Sequence, residues 1–444
     1  MLLPRSVFFS LRASSRDPRR ACLPILPALM LIVTGCDDGG RLTGGEDLTP
    51  PAAVMDLSAV ALADSAITLT WTAPGDDGRL GRAELYRIRY MEEPVTDDNW
   101  GVAKAIPSVP TPSMEGTEES CTVTGLSVAT EYYFGLKSAD EVLNWSPVSN
   151  PASATTHEPA PGFIMAWGAR GVGDGQFDGP VAVATDKEGS VYVVELGNHR
   201  LQKFTGYGRF ITKWGRKGTG KGEFMFPSGV AAGPDGAVYV VEYGSDRVQK
   251  FTSEGQFLRM WGSQGSGDGQ FEIPFEIDVD HQNNVYVADH YNDRIQKFTS
   301  HGEFITKWGT EGSAPGQFDN PLTVAVDHEG NVFVTDEFNR RAQKFTGDGG
   351  LLTWWGRLGR EPGEFLFPMG AATDAEGNVY IADHSHHYVQ KFTGEGAFLA
   401  KWGSQGGLQG QFLGPEDVAV GPEGYIYVAD KGNHRIQKFG YPRD

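Results

Sequence analysis

FITKWGTEGSAPGQFDNPLTVAVDHEGNVFVTDEFNRRAQKF, residues 304–345, decides how the larger part of this chain folds. Short apolar or alternating runs are separated by turn residues, with Gly or Asn wherever a positive φ is needed, as between Asp327 and Asn331. The pattern repeats on both sides without insertion or deletion. Trp of a Trp-Gly pair stands at 167, 214, 261, 308, 355 and 402, and Phe of Gln-Lys-Phe at 204, 251, 298, 345, 392 and 439. Pro recurs at 180, 227, 274, 321, 368 and 415, so every step is 47 residues and there are six copies. A fixed period in this range is the mark of stacked structural units, each too small to bury its apolar face alone.

Within one copy the order is a Trp-Gly strand, a Gly-rich loop ending in Phe-x-x-Pro, a VAVD-like strand, a tight turn, an NVYVAD-like strand and an RIQKF-like strand. Four antiparallel strands per copy make the blade of a β-propeller, so residues 163–444 are expected to form an all-β, six-bladed ring. The phase of the repeat predicts its closure. The first copy opens on FIMAWG, an outermost strand, whereas the last stops after its third strand at Phe439. Residues 163–167 should therefore complete the last blade and leave no open edge. The copies resemble NHL repeats, most closely at Gly432 to Phe439, GNHRIQKF.

Upstream, residues 51–157 hold runs such as AITLTW, LYRIRY, CTVTGL and EYYFGLKSA between Pro, Gly and Asp turns, the pattern of a β-sandwich with about seven strands. Trp71 in the second strand, Leu126 and Tyr132 at a tyrosine-corner spacing, and the closing VSNPASATT resemble a fibronectin type III domain, which implies a spacer role. Residues 158–162 read as a linker. The stretch 36–50 is rich in Gly and Asp and reads as a flexible tether.

The first 35 residues carry Arg5, Arg12, Arg16, Arg19 and Arg20 ahead of an apolar run over 21–33, as a secretory signal does. The run is short for a bilayer span. It ends in Val33-Thr34-Gly35-Cys36, which resembles the lipobox of bacterial lipoproteins and implies a lipid-modified Cys36 and a cell-envelope location, periplasmic or surface-exposed. Without residues 1–35, thirty-three basic side chains face fifty-six acidic ones, a net charge of −23. That excludes a basic nucleic-acid footprint. Of three cysteines, only Cys121 then remains besides Cys36, so no intramolecular disulfide is available. A closed ring has no obligatory partner, and a monomer is the expectation.

Side chains repeated in every copy are expected to serve the scaffold. The six Trp should wedge between neighbouring sheets. The ring Glu195, Glu242, Asp289, Asp336, Asp383 and Asp430 should pair with Arg200, Arg247, Arg294, Arg341 and Arg435, with Tyr388 replacing the arginine in the fifth copy. His199 and His434 belong to the repeat and are expected to be structural. The Gly-rich loops, such as GVGDG at 171–175, lack the Lys-Ser/Thr and following helix of a phosphate cradle. No Ser/His/Asp order or metalloprotease motif supports nucleophilic catalysis.

Function is better sought where copies differ. At the start of the innermost strand the equivalents are Ala182, Gly229, Glu276, Thr323, Gly370 and Asp417, and two positions after Glu276 stands Asp278. Glu276 and Asp417, three copies apart, should face each other across an acidic channel mouth suited to a cation or basic peptide. In the turn after the second strand the equivalents are Leu196, Tyr243, His290, Glu337, His384 and Lys431, with His386 and His387 close by. Tyr243 is a candidate ligand contact. His290, Glu337 and His384 form a candidate site for a divalent metal, zinc or calcium. Some NHL-like propellers, the peptidyl-α-hydroxyglycine amidating lyases, hold a catalytic metal with three channel histidines. That resemblance implies lyase-like chemistry here, but symmetry would recruit Leu196 as the third ligand. The preferred reading is therefore a lipid-anchored binding or scaffold protein presenting the propeller to a protein, peptide or glycan, with no catalytic residue assigned. The alternative is a metal-dependent lyase-like or lactonase-like enzyme at the propeller mouth.

Overall fold

The computed structural model describes residues 48–77 and 81–442. Cys36, the apolar run before it and most of the proposed tether lie outside the described residues. Among those described, no helix is long and apolar enough to cross a membrane.

Seven strands form the upstream sandwich. Ser58–Ala63, Ala66–Thr72 and Glu118–Thr124 make one sheet, and Lys104–Ala105, Leu85–Met91, Glu131–Ala139 and Ala152–Thr155 make the other. Alternation along Leu85–Met91 turns Tyr86, Ile88 and Tyr90 inward, as the period-2 pattern requires. Trp71 packs edge-on against Tyr86, with ring centres 5.5 Å apart. The Tyr132 hydroxyl accepts the Ser127 N–H at 3.1 Å, closing the expected tyrosine corner.

The repeats form six four-stranded antiparallel sheets. Blade 1 runs from its innermost strand Pro180–Thr185 through Val191–Glu195 and Arg200–Phe204 to Phe210–Trp214. Blades 2 to 5 repeat this order. Blade 6 comprises Pro415–Val420, Ile426–Asp430, Arg435–Gly440 and, from the other end of the repeat region, Gly162–Trp167. Its register pairs Ile436 with Trp167, Gln437 with Ala166 and Phe439 with Phe163, so the predicted closure is present. The six innermost strands contact one another in a ring, the last touching the first.

Each second strand is buried on both faces, which explains why VYVVE or VYVAD reads as a continuous apolar run. The repeated Trp lies between blades: Trp214 sits 6.3 Å from Tyr192 of its own blade and 6.0 Å from Phe251 of the next. The turn glycine of the following blade must lie against it, because a Cβ on Gly255 would fall 2.6 Å from the Trp214 indole, at a φ of +85°.

The acidic ring and the arginines pair as expected. Arg247 Nε donates to Glu242 Oε1 at 2.7 Å, while its Nη atoms donate to the carbonyls of Thr219, Gly220 and Glu223 in the Gly-rich loop. Each Arg therefore fastens the long loop to the turn between the second and third strands, placing both on one face, here called the turn face.

Candidate functional site

Two features sit on the propeller axis or beside it on the turn face. The first is a narrow channel of about 190 Å³, lined by the innermost strands and including Glu276, Asp278 and Asp417. The three carboxylates are not an open mouth. Glu276 and Asp417 are buried, and each carboxylate is bound by backbone. Glu276 Oε1 accepts the N–H groups of Val230 in blade 2 (3.1 Å) and Ile277 (3.2 Å). Asp417 accepts from Val183 in blade 1 and from Val418, both at 2.8 Å. Asp278 accepts from Val326 in blade 4 (2.7 Å) and from Val279 (2.8 Å). They staple neighbouring innermost strands together. Burial pushes Asp278 and Asp417 up to about 7, and burial together with the Asp417 charge holds Glu276 well above the usual carboxylate range.

The glycines in this column now have a reason. A Cβ on Gly229 would stand 2.9 Å from the Glu276 Cα, and one on Gly370 would stand 2.8 Å from the Glu416 carbonyl oxygen, while both would strike the carboxylates themselves. Each channel acid at this position thus requires a glycine in the preceding blade.

The second feature is a pocket of about 620 Å³ on the turn face, spanning blades 5, 6, 1 and the entry to blade 2. Its walls include Leu196, Leu413 and Phe226, and its polar lining includes His199, His384, His387, Lys431 and His434. Tyr243 stacks on Phe226 with ring centres 5.5 Å apart and planes within 4°, which places it behind this wall.

The metal triad is not brought together. His290 and Glu337 do approach, with Nε2 3.9 Å from Oε2, but His290 Nδ1 is turned to the Pro321 carbonyl. His384 faces away from them, its Nδ1 3.4 Å from Glu416 Oε1 in blade 6, where Lys431 Nζ also lies at 2.5 Å. The physical reason is directional: His290 and His384 each reach along the ring to the next blade, and Glu337 lies beside His290 of the blade before it, so the three do not converge. Among the described residues no three His, Cys, Asp or Glu are grouped to hold a metal ion. Burial pulls the His290 imidazole down to about 4 and pushes Glu337 up to about 7, so both are held toward their neutral forms.

What the sequence reading missed is the column just before the third strand: His199, Asp246, Asp293, Arg340, His387 and His434. All six have positive φ, between 48° and 61°. Five catch a backbone N–H of the next blade. His199 Nδ1 accepts from Phe226 (3.2 Å), Asp246 from Ile273 (2.9 Å), Asp293 from Asn320 (2.8 Å), His387 Nδ1 from Gly414 (3.0 Å) and His434 Nδ1 from Gly179 (3.2 Å). His199 and His434 are structural, as expected, but with His387 they also line the pocket. Their signal in the sequence is the equivalence of these six positions, one 47-residue step apart.

Two family models match the chain. The NHL repeat model matches residues 177–204, 224–251 and 412–439, and the fibronectin type III domain model matches residues 50–155. Calcium-activated chloride channel regulator 1 of Equus caballus is 33% identical over 120 residues, 26% of this chain and 13% of that protein. The Sus scrofa protein of the same name is 56% identical over 43 residues, covering 10% of this chain and 5% of its own length. The chain thus spans a small part of these curated relatives. Among solved structures, a gluconolactonase of Xanthomonas campestris has a TM-score of 0.47 at 12% identity, covering 61% of this chain and 88% of its own. An auxiliary nutrient binding protein from Bacteroides thetaiotaomicron has a TM-score of 0.46 at 11% identity, covering 88% and 100%. A streptogramin B lyase has a TM-score of 0.43 at 15% identity, covering 70% and 89%. By sequence model and by strand order together, this chain carries NHL repeats, folded as a β-propeller, behind a fibronectin type III domain.

Proposed function

We propose that this chain is a lipid-anchored cell-envelope protein that binds a protein, peptide or glycan ligand on the turn face of its propeller. The observation that carries the reading is the 620 Å³ pocket across blades 5, 6 and 1, where the repeat departs from its own regularity. Its volume lies in the range of small-ligand sites, and apolar walls with a few polar groups are what such sites need. The channel is a poorer candidate, since its acids are occupied by backbone N–H groups. The anchor rests on Val33-Thr34-Gly35-Cys36, and the spacer role on the sandwich between that cysteine and the propeller. Metal-dependent lyase or lactonase chemistry finds little support, because His384 is turned to Glu416 of blade 6, apart from the neighbouring His290 and Glu337.

The test uses the full chain on peptide and glycan arrays alongside Lys431→Glu, which reverses a pocket charge. Binding to a discrete ligand set that the variant loses supports the reading. No ligand on either array, or equal binding by the variant, overturns it. Cys36→Ser should move the chain out of the membrane fraction. Retention there would remove the anchor.

A further inference from the structure

Of the four pocket histidines, three, His199, His387 and His434, have tautomers dictated by their surroundings. An imidazole nitrogen that accepts a backbone N–H has its lone pair there and carries no proton, so in the neutral ring the proton is on the other nitrogen. His199, His387 and His434 each accept through Nδ1. Each is therefore an Nε2–H donor, held by its own blade and oriented by the next. A ring in this state has no free lone pair, so these histidines are donors and not metal ligands. Lys431 adds a fourth donor group from the turn of blade 6.

The carboxylates at the same pocket each have a cationic side chain beside them. Glu416 Oε1 lies 2.5 Å from Lys431 Nζ, and the exposed Asp178 has Arg170 beside it, Nε 3.7 Å from Oδ1. Among the lining side chains, the three Nε2–H groups and Lys431 outnumber the one carboxylate, Asp178, between apolar walls. Hydrogen bonds to an ionised acceptor are about twice as strong as neutral ones, and a poorly solvated wall strengthens them further. In blades 2 and 3 the same column holds Asp246 and Asp293, whose charge would repel such a group, and there the pocket ends.

We propose that this pocket binds an oxyanion, a carboxylate or phosphate carried by the ligand, through the Nε2–H groups of His199, His387 and His434 with Lys431. The assignment rests on the binding reading above and names the chemistry of its ligand.

The repeat itself supplies the control. Asp246 and Asp293 show that a short oxygen acceptor makes the same inter-blade bond, so His→Asn keeps the acceptor and removes the Nε2–H donor. Binding of D-glucuronate, inorganic phosphate and D-glucose to the full chain is measured by titration calorimetry, for the native protein, His387→Asn and the triple His199→Asn, His387→Asn, His434→Asn variant. At least one anion is expected to bind about 10-fold more tightly than glucose, a difference of about 1.4 kcal/mol. The triple variant should lose that preference at an unchanged melting temperature, and which anion prefers the site distinguishes carboxylate from phosphate. If the triple variant does not fold, His387→Asn alone should weaken the anion several-fold. Neither anion binding, glucose binding equally well, or Asn variants binding like the native chain would overturn the proposal. If array ligands are still bound and still lost on Lys431→Glu, the oxyanion alone falls and the binding reading stands.

Discussion

Two halves of one ring solve the same backbone problem differently. At the seams 5 to 6, 6 to 1 and 1 to 2, the N–H just before the innermost strand is caught by His387, His434 and His199. At 2 to 3 and 3 to 4 it is caught by Asp246 and Asp293. The bond lengths are alike, so the scaffold needs only an acceptor. A histidine adds what aspartate cannot, a second edge that donates, and the histidine half coincides with the pocket. Where equivalent positions meet the same structural demand with different chemistry, the surplus chemistry points to function.

The largest break in this comparison is at the 6 to 1 seam, which is also where the chain ends meet. Deleting residues 436–444 removes the strand that joins Gly162–Trp167 to blade 6. It strips partners from both remaining halves of that sheet and exposes two edges. Cooperative unfolding of the propeller is expected to disappear, as read by circular dichroism and calorimetry. An internal seam weakened by one side chain should retain it. A sharp melting transition in the truncated chain would contradict closure by strand exchange.

Next in size is the channel, whose pH response is opposite in sign to that of the histidine seams. Asp278 and Asp417, at about 7 when folded, ionise first in the unfolded chain as pH rises through about 4, so their contribution is lost between about pH 4 and 7. Burial lowers His199 and His387, and their unfolded counterparts take up protons first as pH falls through about 6.5, so that contribution is lost below it. Glu276→Gln keeps the Oε1 acceptor for Val230 and Ile277 while removing the charge. It should stabilise the protein at pH 8 and change little at pH 4, measured by urea unfolding at both values. Equal effects at both would mean that Glu276 is not held neutral.

Steric crowding in the same channel comes after that. Gly229→Ala places a methyl against Glu276 and should cost about 1–3 kcal/mol, as overpacking does. At a histidine seam, His387→Ala abandons the Gly414 N–H and should cost about 1 kcal/mol, with His387→Asn close to neutral. A loss in the Asn variant as large as in Ala would show that the ring, and not its acceptor, supports the seam.

Much of this was legible in the sequence because a repeat asks the same thing of the backbone six times. The 47-residue step, the strand order, the Trp wedge and the borrowed strand at Phe163 all follow from periodicity and the need to close an edge. Tyr132 could be placed because a tyrosine corner has a local spacing. What could not be read was the direction of side chains on the turn face. His290, Glu337 and His384 occupy equivalent positions, but equivalence in a ring places them about 60° apart in successive blades and turns each toward its neighbour. Glu276 and Asp417 likewise looked like free channel acids, since nothing local reveals that Val230 and Val183 of adjacent blades donate to them.

The sixth seam explains two departures that look unrelated in sequence. Arg340 cannot accept a hydrogen bond, so the Phe367 N–H at the entry to blade 5 needs another partner. It finds Asp383 Oδ1 at 3.1 Å, while Asp383 Oδ2 accepts from Leu366 at 2.8 Å. In other blades the equivalent carboxylate is drawn to an arginine, as Asp336 Oδ2 is to Arg341 Nε at 2.7 Å. Blade 5 has Tyr388 there, and His386 satisfies Asp383 at 2.9 Å instead. Loss of the acceptor at 340 and loss of the arginine at 388 therefore compensate one another. Arg340→Asp, which restores the acceptor of blades 2 and 3, should change stability by no more than about 0.5 kcal/mol, since the N–H is already satisfied. In a Tyr388→Arg background the same substitution should become stabilising, because the arginine draws Asp383 away from Phe367. A double-mutant cycle in denaturant measures the coupling, and strict additivity of the two changes would refute the compensation.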